Sequence, residues 1–510
     1  MTTSRSMLRS LALGFWISLG IAAHPQPLPH VPNVPLPFFD VRTFGAKGDG
    51  VALDSPAINA AIDAASDAGG GAVVLPAGTY RSTSVHLKSN ISLVIEQGAT
   101  LMAAENEGGV AYDSAEPNPS DKYQDFGHTH FHNSLIWGEN LQNVSILGPG
   151  RIWGKGLVRD STKSYQDGNK SIALRECRNV TIRDVTIQHG GWFGILATGV
   201  DHLTIDNLII DTNRDGMDID CCRDVHVSNC SVNSPHDDGI CLKSSYALGY
   251  ARATEDVTIT NCHVCGFEEG SFLDGTFKRT RPGTGRIKFG TESNGGFRNI
   301  AISNCVFDYC CGLALETVDG GLLEDVTISN ITMRDIANAP IYMRLGRRMR
   351  GPEGTPVGAL RRVSISDVRI VNGGATSIIS GVPGYPIEDV SLSNIRLISR
   401  GHADPKNLGV VPPEDEKGYP EPGSLGRMPA HGFFIRHVKN IEFYNVEVRT
   451  ETQDPRPPFQ LTDVDGADFF LIKAQRDPKA PMFSRTSVRD FRARQVDTLP
   501  GNGEQGTGGR

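Results

Sequence analysis

The sequence has no apolar run long enough to cross a bilayer, no basic stripe and no second cysteine pair beside Cys262 and Cys265 that would complete a zinc site. Lys and Arg total 50 against 58 Asp and Glu, and both signs are interspersed, so the net charge of −8 does not point to nucleic acid. One apolar stretch opens the chain, Leu11 to Ala23, behind Arg5 and Arg9 and ahead of His24-Pro25. It has the layout of a cleaved secretory leader, residues 1–23, so the chain is expected to be exported, to periplasm or outside, and to have no membrane contact once the leader is removed. Ten cysteines in an exported chain would ordinarily mean disulfides. Here Cys230, Cys262 and Cys305 each follow an Asn in a repeated phrase and read as small interior hydrophobes. Cys221-Cys222 and Cys310-Cys311 could bridge to neighbours, with no connectivity legible.

The repeated phrase sets the fold. A small polar residue, then Asn or Asp, then an apolar residue recurs as Arg183-Asp184-Val185, Asp206-Asn207-Leu208, Ser228-Asn229-Cys230, Thr260-Asn261-Cys262, Ser303-Asn304-Cys305, Ser329-Asn330-Ile331, Ser366-Asp367-Val368, Ser393-Asn394-Ile395 and Tyr444-Asn445-Val446. Short alternating runs precede most of them, such as Val180-Thr181-Ile182, Leu203-Thr204-Ile205 and Val257-Thr258-Ile259. Alternation of period two marks strands with one buried face. Spacings of 22, 23, 26 and 27 residues mark a solenoid, whose single turns cannot bury a core but whose stack can. The length alone would allow several domains; the repeat predicts one all-β domain instead, a parallel β-helix over 39–490. Its asparagines are expected to form a polar ladder inside the corners. A helix from Ala57 to Ala68, begun at Asp54-Ser55-Pro56 and ended by Gly69-Gly70-Gly71, should cap the N-terminal end. Inserts at 103–133, 244–256 and 401–430 are placed to wall a cleft, and 491–510 reads as a disordered tail.

Asn213-Arg214-Asp215-Gly216-Met217-Asp218 and Pro235-His236-Asp237-Asp238-Gly239-Ile240 carry the chemistry. Asp215 and Asp237 lie 22 residues apart, the local repeat, so they occupy one offset on neighbouring turns, about 5 Å apart if those turns stack. Asp238 adds a third carboxylate. Three acids that close cannot all stay ionised at their usual values, so at least one pKa should rise, which would let one site hold both a proton donor and a base. Singly, each Asp reads more readily as a solvated turn residue than as a catalytic one; the stacked trio reverses that reading.

These motifs, with the preceding Trp192-Phe193-Gly194-Ile195 and the opening Phe44-Gly45-Ala46-Lys47-Gly48-Asp49-Gly50, resemble glycoside hydrolase family 28, the polygalacturonases and rhamnogalacturonases. The resemblance runs from Phe39 to about Val446 and implies a right-handed β-helix that hydrolyses α-linked galacturonic acid bonds in pectic polysaccharide or oligosaccharide, with inversion and without metal or other cofactor. It makes Asp237 the general acid, and Asp215 and Asp238 the groups that hold and deprotonate the attacking water. Inversion asks for roughly 6.5–9.5 Å between acid and base.

The sequence departs from that family at two places. The family's Gly-His-Gly becomes Gly283-Thr284-Gly285, and its Arg-Ile-Lys becomes Ala314-Leu315-Glu316. Aligning the turns on Gly216, Gly239 and Gly312 puts Met217, Ile219, Ile240, Leu242, Leu313 and Leu315 inward. A cleft is then expected to hold Asp215, Asp237, Asp238, Lys243, Arg286, Lys288 and Glu316. Arg286 is the candidate reader of a uronate carboxylate through paired hydrogen bonds; charge balance against the acids is the competing account for Arg286 and Lys288. Glu316 could accept from a sugar hydroxyl, join the catalytic acids, or pair with Lys288 or Lys243. Asn213 joins the substrate-binding set, and Trp192 could stack on a sugar or pack internally. His189 and His236 read as hydrogen-bonding turn residues. Arg344, Arg347 and Arg348 could extend a uronate surface or form a solvated basic edge. Two other functions stay open: a β-helix lyase using Ca²⁺ and a basic residue, and a non-catalytic carbohydrate-binding solenoid. The family itself also spans rhamnogalacturonan hydrolysis.

Overall fold

A computed structural model describes residues 37–106, 108–159, 167–281, 283–401 and 404–500. The expected leader, 1–23, and residues 501–510 lie outside the described residues. The alternating triplets become parallel strands in register: Val180 pairs with Leu203, Leu203 with Val225, Val225 with Val257, Val257 with Ile300 and Ile300 with Val326. The column continues through Val363, Val390, Ile441 and Ala467 to Phe491. Every strand of the described chain joins one sheet wound as a right-handed parallel β-helix. The columns of Val, Ile and Leu fill its interior, each buried side chain contributing roughly 1.5–3 kcal/mol.

The N-terminal helix runs Ser55–Asp67 with Pro56 in its first turn, and Ile58, Ala61, Ile62 and Ala65 close the end of the core. Asp54 makes no side-chain cap bond to the helix; it accepts instead from the backbone N–H groups of Lys47 at 2.7 Å and Gly48 at 3.1 Å, tying the opening turn to the helix start. The last strand, Phe483–Leu499, corrects the expected boundary at 490. Phe483, Val488, Phe491 and Val496 stack on Phe459, Val464, Ala467 and Ile472, while an Arg- and Asp-rich outer face gave this rung the composition of a tail.

The asparagine ladder exists but on the other side of the corner. Asn330 donates to Asn304 at 2.7 Å, and Asn445 to Asn394 at 2.7 Å, which donates to Asp367 at 2.9 Å. These residues are in the left-handed conformation, with φ of 55° at Asn330 and 54° at Asn445. That bend turns the Asn side chain toward solvent and the next apolar residue inward, and Asn tolerates it better than most residues. Cys230, Cys262 and Cys305 are accordingly interior, and all ten cysteines are free thiols.

Candidate active site

Strand Asp215–Asp220 lies between strand Phe193–Thr198 and strand Ile240–Ser244, followed by Ile287–Ser293 and Leu313–Thr317. The register matches the glycine alignment: Met217 pairs with Ile240 and Ile240 with Ile287, all interior, while Asp218, Cys241, Lys288 and Ala314 form one outward column. Asp215, Asp237 and Asp238 converge, one carboxylate oxygen of each lying within 4.8 Å of the others. Nearest oxygens underestimate the separation of whole carboxyl groups, so this spacing sits at or below the lower end of the inverting range.

The three acids differ in environment. Asp215 is buried, and burial together with the charges of Asp218 and Asp237 raises its pKa well above the ordinary value. Burial and the adjacent Asp238 also raise Asp237, against the pull of Arg214. For Asp238 burial works upward too, but Lys288, Arg286 and Lys243 outweigh it and hold the carboxyl at about 2. Arg286 Nε donates to Asp238 Oδ1 at 2.8 Å, and Lys288 Nζ lies 3.3 Å from Oδ2. The expected splitting is therefore present: two acids pushed toward the protonated form and one fixed as the carboxylate.

Of the residues expected to line an open cleft, Asp237 remains accessible, with its side chain 27% exposed. Asp215, Asp238, Lys243, Arg286, Lys288 and Glu316 point out of the core as expected, yet are buried. The inserts account for this correction, because they fold onto the strand face rather than merely flanking it. Lys243 Nζ binds Glu292 Oε2 at 2.9 Å and lies 3.8 Å from Asp218. Burial raises Glu316 to about 8 despite Lys288 and Arg286, and Lys288 Nζ is 3.7 Å from its Oε2. Trp192 stacks within 5.7 Å on Phe193 and carries the Arg214 guanidinium 4.9 Å from its ring, which covers the face a sugar would use. Asn213 is buried beside the trio, its side-chain oxygen without a hydrogen-bond partner. Arg344 is buried and Arg348 nearly so, rather than part of a uronate surface or a solvated edge, while Arg347 stays partly exposed. Arg344 donates to the carbonyl of Asp415 at 3.0 Å, Arg347 to Glu416 Oε2 at 2.9 Å and Arg348 to Asp319 Oδ1 at 3.0 Å, holding down the insert and its neighbours.

A depression of about 630 Å³ opens over Asp237, lined by Asn213, His236 and Thr284 and by three arginines, Arg159, Arg214 and Arg281. Arg214 Nη2 lies 2.9 Å from Asp237 Oδ2, Arg281 contacts His236, and Arg159 reaches His189 at 3.2 Å and also Glu269. Thr284, where the resembling family carries its histidine, is part of this wall. The trio's oxygens could in principle ligate a hard cation, but Asp238 is already committed to Arg286 and Lys288, whose charges oppose one.

A model of the family described as rhamnogalacturonase A/epimerase, pectate lyase-like, matches residues 38–268. A probable polygalacturonase of Vitis vinifera is 22% identical over 382 residues, 69% of this chain and 73% of that protein. An exo-poly-α-D-galacturonosidase of Dickeya chrysanthemi is 24% identical over 358 residues, 60% of this chain and 56% of that one. The solved structure of a family 28 exopolygalacturonase from Yersinia enterocolitica superposes with a TM-score of 0.61 at 19% identity, covering 91% of this chain and 79% of its own. The chain has the glycoside hydrolase family 28 polygalacturonase fold. Within that family fold, Lys288 sits in register with Ala314, so the cation missing from the family's Arg-Ile-Lys position is found one rung nearer the acids.

Sequence reasoning missed four groups. His128, from the first insert, places Nε2 3.4 Å from Asp218 and 3.7 Å from Glu292. Glu292 itself is held far below the ordinary value: burial would raise it, but Lys243, His128, Arg348 and Arg350 prevail. Glu421, from the last insert, contacts Arg286. The fourth group, Arg159 and Arg281, arrives from loops with no periodicity. Only Arg214, inside the Asp215 motif, had a signal within reach.

Proposed function

We propose that this protein is an exported glycoside hydrolase that cleaves α-linked galacturonic acid bonds in pectic polysaccharide or oligosaccharide, with inversion. The carrying observation is the divided trio: Asp237, pKa raised and facing the open depression, beside Asp238, held ionised. Asp237 gives its proton to the glycosidic oxygen as the bond to the anomeric carbon breaks. Water adds to that carbon from the opposite face and its proton passes to Asp238, while Asp215, carrying a proton, hydrogen-bonds and orients the water. The charge of Asp238 also favours the oxocarbenium-like transition state. Solvent then reprotonates Asp237 and removes the proton from Asp238.

Three arginines line the depression; Arg159 and Arg214 already have Glu269 and Asp237 beside them, and Arg281, which contacts His236, supports an anionic sugar on the leaving-group side. The relatives named as polygalacturonases support the same substrate class. Inserts folded over one side of the trio fit attack at a chain end. The leader-like start, Arg5, Arg9 and Leu11 to Ala23, supports export.

The deciding experiment incubates the purified protein with homogalacturonan and with rhamnogalacturonan, following reducing ends, ultraviolet absorbance and the anomer first released. New reducing ends without absorbance, lost in Asp237→Asn, support hydrolysis, and an inverted anomer supports the single displacement. Absorbance would make it a lyase. No cleavage of either polymer, with binding that survives Asp237→Asn, would make it a carbohydrate-binding solenoid.

A further inference from the structure

Arg286 divides its donors between the catalytic trio and a surface insert. Nε binds Asp238, whereas Nη1 and Nη2 both reach the carboxylate of Glu421, Nη1 meeting Oε2 at 3.3 Å. Lys288 Nζ lies 3.9 Å from Glu421 Oε1. A guanidinium fork and an ammonium thus converge on one carboxylate immediately beside Asp238, an arrangement suited to a planar acid. The anion is the outer member of the group. Glu421 is 38% exposed, while the side chains of Arg286 and Lys288 beneath it are 1% and 2% exposed.

We propose that Arg286 and Lys288 form a carboxylate subsite for a uronate residue of the substrate, and that Glu421 occupies this subsite until the substrate's carboxylate displaces it. The inference rests on the uronate-hydrolase reading above. Exchange of one carboxylate for another keeps the charge of the buried group constant. Removing Glu421 without replacement would leave Arg286 and Lys288 sharing Asp238 alone, with a desolvation penalty. A neutral sugar therefore cannot take the place, and the device selects for acid residues while lowering their apparent affinity.

Local anchoring allows the exchange. Leu425 and Met428 pack with Tyr342 and Ala314 and hold the insert. Glu421 itself is bound through its main chain only nearby, its N–H donating to the Tyr419 carbonyl at 2.8 Å and its carbonyl accepting from Ser424. Rotation about the Glu421 side-chain bonds can open the subsite with Leu425 still seated. Tyr419, 54% exposed and with its ring 5.5 Å from Lys288 Nζ, offers the incoming sugar an adjacent apolar face.

The test is calorimetric binding of trigalacturonate and of a neutral galacto-oligosaccharide to the full-length protein in the Asp237→Asn background, with Glu421→Gln, Glu421→Asp or Glu416→Gln added. Glu421→Gln and the shorter Glu421→Asp should each tighten trigalacturonate about tenfold, the scale of one charge-assisted hydrogen bond. Glu416→Gln, which removes an acid paired with Arg347 on the same insert, and all neutral-ligand measurements should be unmoved. Circular dichroism establishes that each variant is folded before its binding is read. Unchanged or weaker trigalacturonate binding in both Glu421 variants overturns the inference, even where the unmodified enzyme cleaves uronate polymers. An unmodified enzyme that neither binds nor cleaves them overturns the functional reading itself.

Discussion

Glu316→Gln should make the protein more stable at neutral pH and no more stable near pH 4.5. Glu316 has no solvent exposure, and neither carboxyl oxygen has a hydrogen-bond partner; its nearest cation, Lys288, is 3.7 Å away and shared with Asp238. Burial moves its pKa from 4.5 to about 8. At 1.36 kcal/mol for each tenfold change in proton affinity, that rise is equivalent to roughly 5 kcal/mol. The folded protein keeps this proton where the unfolded chain has already lost it. The contribution is complete below the unfolded value, near 4.5, and is progressively lost as pH rises through about 8. Glutamine keeps the shape and does not titrate. Thermal or urea midpoints at pH 4.5, 6 and 7.5 should therefore diverge, the variant gaining roughly 2–5 kcal/mol over the unmodified protein across that range. The slope of the difference with pH is the readout, because a long solenoid need not unfold in one step. Two parallel curves would refute the reasoning, since they would mean that Glu316 is ionised in the folded state and forms a true ion pair with Lys288.

Asp237→Asn should lower kcat by 10²–10⁴, roughly the range for loss of a general acid, with an unchanged melting temperature; activity within tenfold of the parent would remove Asp237 from the mechanism. The profile of kcat/KM against pH should fall on the acid side near the Asp238 value of about 2 and on the alkaline side through the raised value of Asp237, above the ordinary 3.8; a rate still climbing at neutral pH would contradict that assignment. Arg281→Ala should raise KM for oligogalacturonates about tenfold at low salt, and less at high salt, with kcat little changed. Equal effects on a neutral substrate would count against recognition of charge. Asn330→Ala should destabilise by about 1–2 kcal/mol in urea unfolding, since Ala must adopt φ of 55° and loses the bond to Asn304, whereas Asn330→Gly should be milder.

The solenoid was legible because one physical constraint, a buried face repeated each turn, acts on every rung. Val180, Leu203, Val225 and Val257 stand at one register for that reason. At the acids the register is 23 residues rather than 22, Met217 lying on Ile240, so the same-offset partner of Asp215 is Asp238 and not Asp237 as the spacing had suggested. Direction relative to the core was legible for Met217, Ile219, Lys288 and Glu316 by the same alternation. What alternation does not encode is whether an outward residue meets water. That depends on the inserts, whose paths are set by individual contacts such as Tyr123 on Tyr246, Asp125 with Arg350 and Glu421 with Arg286. The asparagine ladder failed in a related way. Its hydrogen bonding follows from spacing, but its side of the corner follows from a positive φ that spacing leaves open. The last rung was misjudged because charge on an outer face resembles the composition of a tail when no further rung covers it.

Burial alone does not divide the three acids, since it pushes all of them the same way. The difference lies in which acid receives cations at contact distance. Asp238 has Arg286 at 2.8 Å and Lys288 at 3.3 Å, and Asp237 has the more exposed Arg214 at 2.9 Å. Asp215 has no cation at that range among the described residues, and its outward neighbour on the strand is the acid Asp218, which lies 3.8 Å from Lys243 Nζ and 3.4 Å from His128 Nε2. The rung that begins at Ile287 is thus what sets the order of proton affinities, because Arg286, immediately before strand Ile287–Ser293, and Lys288 within it deliver both cations to the same acid. In the resembling family's arrangement the cations stand on the next rung, at Ala314 and Glu316 here. Carrying them one rung toward Asp238 ties the most acidic group of the trio to the residues that would otherwise face the substrate. Glu421 then completes the charge of that rung from outside, so that under the proposed function uronate recognition and the ionisation of Asp238 would follow from the same pair of side chains.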